Sequence, residues 1–157
     1  ITNVISALLQ GGISPAHITY ASRGQAHITQ ATNVAGYISW GVHGGLPSDY
    51  ATSGSITFTG QSSWHIIETI ESFNGQRCDP GQGTFLKWFS ANAFGGADYS
   101  NTPIGAVTHV EEPFLGGQND SARYFGLWAK NKNFAICAWN SRETDKFQAV
   151  GDPFVKR

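Results

Sequence analysis

The stretch Val34-Ala-Gly-Tyr-Ile-Ser-Trp-Gly-Val42, running straight into His43-Gly44-Gly45, decides how the rest of the chain is read. It is almost continuously apolar, as a strand covered on both faces of a parallel sheet would be. A single-faced strand would alternate instead. Two more runs of this kind follow. Trp64 to Ile70 has four β-branched residues among its seven and leads into Asn74-Gly75, a turn dipeptide, so it reads as a strand although helical spacing is also present. Ile104 to Val110 is a third buried-type strand, running into Glu111-Glu112-Pro113.

Between these runs the spacing turns helical. Val4, Ile5, Leu8 and Leu9 predict a helix over residues 3–10 that Gly11-Gly12 ends. Phe85, Trp88, Phe89 and Ala93 predict an amphipathic helix from Thr84 to Phe94. Ser121 to Ala129 predicts another, and Asn133 is placed to cap one more through Trp139. His17 to Ala21 reads as a brief extended stretch before a turn at Ser22-Arg-Gly24, and Ile56 to Phe58 as an edge strand. The tail, Phe147 to Val155, carries two short apolar pairs around a Gly-Asp-Pro turn. Apolar strands alternating with helices predict an α/β fold: a three-layer sandwich with a mainly parallel sheet.

Composition bounds the alternatives. The chain has 157 residues, enough for one domain and one core, so residues 1–157 are expected to form a single α/β unit. Charged residues are 13% and apolar residues 40%, which excludes disorder through weak hydrophobicity. Ten Lys plus Arg against eleven Asp plus Glu, without a run of one sign, leave no basic footprint for nucleic acid. No segment is long and apolar enough to span a membrane, and the first ten residues lack the pattern of a signal peptide. The chain starts at Ile1 instead of Met, and an upstream portion is expected. Low charge, abundant small polar residues and aromatics, and the acceptor triplet Asn119-Asp120-Ser121 point to a secreted or cell-surface protein. Two cysteines make no disulfide framework: Cys137 reads as a buried core residue, and Cys78 sits in a loop.

In open α/β sheets ligands gather at the carboxyl ends of strands. Those ends carry His43-Gly44-Gly45, Glu71-Ser72-Phe73-Asn74-Gly75 and Thr108-His109-Val110-Glu111-Glu112. A histidine followed by two glycines can present an imidazole base beside free backbone N–H groups. The order Gly36-Tyr-Ile-Ser-Trp-Gly-Val-His-Gly44, a second strand, an amphipathic helix, Gly105-Ala-Val107 and Gly151-Asp-Pro153 resembles caspase/gingipain-like peptidases of the clan CD type, across roughly residues 34–155. Certain secreted bacterial proteins end similarly.

In that superfamily the His is the general base, and a nucleophilic Cys ends the neighbouring parallel strand about thirty residues later. The resemblance implies His43 as base, Gly44 as an oxyanion donor, and a nucleophile near Glu71 or Ser72. No Cys stands there; Cys78 lies 35 residues after His43 in the following loop. Three alternatives stay open: Ser72 acts with His43, Cys78 folds back to do so, or the centre is inactive and the fold serves as a scaffold. An active centre would cleave a peptide or ester bond. The other class of function is a non-catalytic extracellular module that binds a peptide, protein or glycan, or assembles with itself or with an upstream processed segment. Residue 43 is expected to top an inner strand next to the one ending at Glu71 and Ser72; the peptidase kinship falls if those two ends lie on opposite rims of the sheet or if the second segment is coiled.

The other constellations have simpler readings. His109 and Glu111 would share one strand face, with Glu112 pointing away, which falls short of a zinc ligand set and suits a solvated strand end. The glycine pairs at 95–96 and 116–117 lack a phosphate-loop or dinucleotide fingerprint, so no cofactor is indicated. His17, His27 and Asp49 read as surface residues, and Trp40, Trp88, Trp128 and Trp139 as mostly buried.

Overall fold

The computed structural model describes residues 2–22, 27–78 and 80–157. The fold is α/β. In chain order it has α1 (Thr2–Gln10), β1 (Gln30–Thr32), β2 (Gly36–Ser39), β3 (Thr57–Thr59), β4 (Ile66–Thr69), α2 (Phe85–Trp88), β5 (Gly105–His109), α3 (Phe114–Gly117), α4 (Ser121–Ala129), α5 (Phe134–Ser141) and β6 (Phe147–Gly151). The main sheet has the order β2-β4-β5-β6. Its first three strands are parallel, with Ser39 opposite Thr69 and Glu68 opposite Val107. β6 runs antiparallel to β5. β1 and β3 form a separate parallel pair.

β4 and β5 are buried along their whole lengths, as the apolar runs require. The period-2 alternation sends Ile66 and Val107 into one core, with Val4, Tyr124, Phe125, Trp128 and Phe134 from α1, α4 and α5. Ile67 and Ala106 enter the opposite core, with Tyr37, Tyr50, Ile56, Phe58, Trp88 and Phe94. There His65 lies edge-on to Phe58 and Phe94, at ring separations of 5.4 and 5.6 Å, and its Nδ1 bonds the Ser62 carbonyl. Burial pushes that imidazole down to about 4, the Ser62 bond opposing in part.

Several expectations hold. α1 stops at Gly11, whose N–H reaches the Ala7 and Leu8 carbonyls. α4 spans the expected residues, and Asn133 caps α5 by accepting from Ile136 N at 2.9 Å. Of the strand expected from Trp64 to Ile70, Ile66–Thr69 forms β4, and Trp64 belongs to a 3-10 turn over Ser62–Trp64. Others fail for identifiable reasons. The helix expected from Thr84 to Phe94 ends after one turn at Trp88, because Phe94 adopts φ 53°, gives its N–H to the Ala51 carbonyl at 2.6 Å and stacks on Phe58. The strand begun at Val34 leaves the sheet at Ser39, since Gly41 has φ 52° and opens a 3-10 turn through Gly44. It is also the sheet's edge strand, where an inner one was expected. The tail, read as two short apolar pairs around a turn, supplies β6. Of the extended stretch expected from His17 to Ala21, His17 belongs to a 3-10 turn over Pro15–His17, Ile18 is extended and no strand forms, and the turn expected at Ser22–Gly24 falls largely outside the described residues.

Trp88 and Trp128 are buried, but Trp40 and Trp139 are 48% and 64% exposed, against expectation. α5 turns Phe134, Cys137, Ala138 and Ser141 inward, which leaves Trp139 outside under the Arg142 guanidinium. Both cysteines are free, Cys137 buried and Cys78 exposed. Asn119 is only 5% exposed, so the acceptor triplet is closed off in the folded chain and loses its weight as a sign of secretion. Among the described residues no helix is long and apolar enough to cross a membrane.

Two measurements test this packing. A Cβ at Gly105 would lie 2.4 Å from Cε2 of Phe134, so Gly105→Ala should cost about 1–3 kcal/mol in a denaturant titration. The His65 shift has a definite sign: the folded value lies below the unfolded one near 6.5, so its stabilisation is complete above that pH and is lost on acidification through about 4. Replacing His65 with Phe should flatten this acid limb, by roughly 3 kcal/mol in total.

Candidate functional site

Because β2, β4 and β5 are parallel, the segments that follow them meet along one rim of the sheet. The rim is organised by Glu71, fully buried two residues past β4. Its Oε1 accepts from Val42 N at 3.0 Å and Gly83 N at 2.9 Å, and its Oε2 accepts from the Tyr50 hydroxyl at 3.1 Å. Trp88 Nε1 in turn donates to the Tyr50 oxygen at 2.8 Å. One carboxyl group therefore ties the turn after β2, the loop before α2 and the far core to the end of β4. Gly41 is required beside it: a Cβ there would stand 2.1 Å from Oε2, and the backbone has positive φ.

Asn74 does the same between β4 and β5. Its side-chain oxygen accepts from His109 N at 2.7 Å, its amide donates to Thr69 Oγ1 at 3.2 Å, and its carbonyl accepts from Phe85 N at 3.0 Å. The chain reverses sharply just before it, with Phe73 at φ 58°. Such a left-handed residue next to Ser72 is a costly conformation that the two anchors hold in place.

Ser72 is buried, and its hydroxyl donates to Glu112 Oε2 at 2.5 Å. The other oxygen of Glu112 accepts from Phe114 N at 2.9 Å, and Lys146 Nζ donates to the Glu112 carbonyl at 2.9 Å. The Ser72 hydroxyl, chiefly, and the Phe114 N–H hold the Glu112 carboxyl below the usual carboxylate range, and the charges of His43 and Lys146 add to this against a small desolvation effect. His43 is exposed at the end of its 3-10 turn, near enough for its charge to act on Glu112.

Comparison of the chain with protein-family models, curated proteins and solved structures finds no match.

The rim brings three of the expected residues onto neighbouring strand ends, His43 and Gly44 after β2 and Ser72 after β4. It gives them other partners than expected. The single hydroxyl proton of Ser72 goes to Glu112 and not to the imidazole. The Gly44 N–H is directed at the Trp40 carbonyl at 3.3 Å, inside the turn, and is not free as an oxyanion donor. Cys78 donates to Gln76 Oε1 at 3.1 Å, and Gln76 reaches Val110 after β5, so the thiol leans to the side of β4 away from β2. Asp49 is exposed, as its simpler reading had it.

Glu112, expected on the strand face opposite His109 and Glu111, is the residue that meets Ser72, because β5 ends at His109 and strand alternation no longer governs residues 110–112. His27, read as a surface residue, is half-buried with its Nε2 2.6 Å from the Gly44 carbonyl, bracing the His43 turn. No sequence signal marks Glu71 or Asn74 as anchors beyond their place just past an apolar strand.

A carboxylate held low is a poor proton acceptor at neutral pH, so this arrangement orients the serine without activating it. Glu71 carries the first test. Glu71→Ala leaves two backbone N–H groups and a hydroxyl without acceptors, and should cost on the order of 3 kcal/mol or more in urea unfolding. Glu71→Gln can keep its oxygen at the Oε1 position while the Tyr50 hydroxyl turns to accept, and should cost about 1 kcal/mol. Equal losses for the two variants would contradict the anchoring role.

Proposed function

We propose that the chain is a caspase/gingipain-like three-layer α/β domain, secreted or held at the cell surface, whose peptidase centre is degenerate and now serves to bind a peptide or protein. The observation that carries this reading is the Ser72–Glu112 bond at the end of the strand beside the one that ends in His43. The His-Gly turn and Ser72 stand in the relation that the resemblance assigns to base and nucleophile: neighbouring, parallel strand ends. A hydroxyl replaces the thiol. A hydroxyl needs a base, and the one it contacts is a weakened carboxylate.

The surroundings support binding. Trp40 after β2 and Phe114 and Leu115 after β5 are 48%, 72% and 74% exposed, so apolar side chains flank the polar end of β4 on both sides. Exposed aromatics of this kind anchor peptide and protein partners. Low charge content supports an extracellular setting.

The test is covalent labelling. Wild-type protein should leave Ser72 unmodified by a fluorophosphonate probe; stoichiometric labelling of Ser72 that disappears in His43→Ala would overturn degeneracy and make the protein a serine hydrolase. A second arm tests the kinship. In a Cys78→Ala background, Ser72→Cys with Glu112→Gln restores a thiol and removes the competing acceptor. Its alkylation by iodoacetamide at pH 7 should run about tenfold faster with His43 than with His43→Ala, because a thiolate paired with imidazolium forms at lower pH. Equal rates would sink the assignment of His43 and Ser72 to one centre.

A further inference from the structure

Beneath the rim, on the face covered by α4 and α5, lies a group of buried polar side chains that the Ser72–Glu112 arrangement does not use. Glu68 on β4 is 1% exposed; its Oε1 accepts from Ser121 Oγ at 3.0 Å, and its Oε2 has no protein partner. His109 on β5 is equally buried; neither ring nitrogen has a partner in good hydrogen-bond geometry, although the Gly117 backbone is close enough to act on the ring. Both polar atoms of the Asn119 side chain and the hydroxyl of Tyr124, which is fully buried, also lack a partner.

These residues converge. Glu68 is opposite Val107, so His109, two residues further on, lies on the same face of the adjacent strand. Asp120 caps α4 through Arg123 N, which makes Asn119 the residue before the cap and Tyr124 the fourth helical residue. Side chains at those two positions meet across a first helical turn. Burial raises the Tyr124 phenol well above the ordinary value, and the nearby Glu68 carboxyl adds to this.

An unpaired buried polar atom is costly, and native interiors resolve such groups with water that makes two to four hydrogen bonds. We propose that Glu68, His109, Asn119 and Tyr124 line a buried water-binding chamber that latches the segment between β5 and α4, and with it Glu112, onto the sheet. The proposal holds whether or not Ser72 is catalytic.

The lining favours water over an ion. Burial pushes the Glu68 carboxyl up to about 8, with the Ser121 bond opposing and the Asp120 charge reinforcing, so it keeps its proton at neutral pH. Burial also lowers His109, while the neighbouring Gly117 backbone and Glu112 charge pull the other way less strongly. Among the described residues no group of three His, Cys, Asp or Glu side chains is placed to hold a metal.

The groups around Glu68 are Asp120 and Ser121 from the start of α4 and Tyr124 within it, with Cys137 from α5 behind Tyr124; His109 lies on the same sheet face one strand over. Ile38 of β2 and Val4 of α1 add no charge. The segment being latched is suited to movement: it holds Gly116 and Gly117, exposed Phe114 and Leu115, and Phe114 at φ 53°. Its far end is pinned by Asp120 N to the Ser141 carbonyl at 2.8 Å.

The sign of the pH effect follows. The folded value for Glu68 lies above the unfolded one, so the native state holds the extra proton and the latch loosens as pH rises through about 8. The experiment combines oxygen-17 relaxation dispersion, which counts long-lived internal water, with backbone hydrogen exchange corrected for intrinsic base catalysis. At pH 6 the wild type should hold at least one long-lived water that Asn119→Leu or Tyr124→Phe removes. Above pH 8 the amides of residues 119–124 should exchange at least tenfold faster, and Glu68→Gln should abolish that rise. Absence of long-lived water at pH 6, or the same alkaline rise in Glu68→Gln, would overturn the proposal. Should Glu68→Gln fail to fold, carbon-13 titration of the Glu68 carboxyl in the wild type decides: a midpoint near 8 that tracks the exchange supports the latch, and one in the ordinary carboxylate range ends it.

Discussion

A carboxyl group without access to water must satisfy its oxygens within the protein, and at Glu71 that requirement organises the whole rim of the sheet. Two backbone N–H groups, from Val42 and Gly83, and the Tyr50 hydroxyl converge on it from three separate segments. None of those segments is regular enough to hold its own position by backbone pairing. The carboxyl does it for them, and the geometry of everything downstream, including the exposed His43 turn, depends on it. The glycine at 41 belongs to the same constraint, since any side chain there would occupy the space of the carboxyl.

Parallel pairing then determines what can meet. With β2, β4 and β5 running the same way, their carboxyl ends gather His43, Ser72 and Glu112 on one side of the molecule. Direction alone does not set which of them bond. Ser72 turns to Glu112 because the chain after β5 bends back over β4, held by Asn74 through His109 N and by Lys146 through the Glu112 carbonyl. A serine held by a carboxylate is well placed and poorly activated, which is the physical basis of the proposal that the centre is degenerate. Glu68 and His109, under the same bend, are buried as well, and burial opposes charge of either sign on them.

Much of the fold was legible where hydrophobic pattern and length agree. The apolar runs at β4 and β5 and the helical spacings of α1, α4 and α5 were read from residue types because one physical cause, burial of one or both faces, leaves a periodic trace. The stretch from Thr84 to Phe94 had the right trace and became one turn of helix, since the bond from Phe94 to Ala51 and the stacking on Phe58 outweigh a short helix's own stability. β1 and β6 were missed because a three-residue pair and a half-exposed edge strand carry little apolar pattern. Of the site, His43 and Ser72 were visible as strand ends. Glu112 was not, because alternation misled beyond the last residue of β5.

The amino-acid sequence by itself determined the α/β class, the three parallel strands and the rim on which chemistry could sit, because burial periodicity and strand ends are local properties of the chain. Only the tertiary structure decided that β2 lies at the sheet edge, that Ser72 pairs with Glu112, and that Glu71, Glu68 and His109 are buried. A polar side chain carries no local mark of its surroundings: whether it is solvated, paired or enclosed depends on segments tens of residues away, and that is settled only when the sheet closes over it.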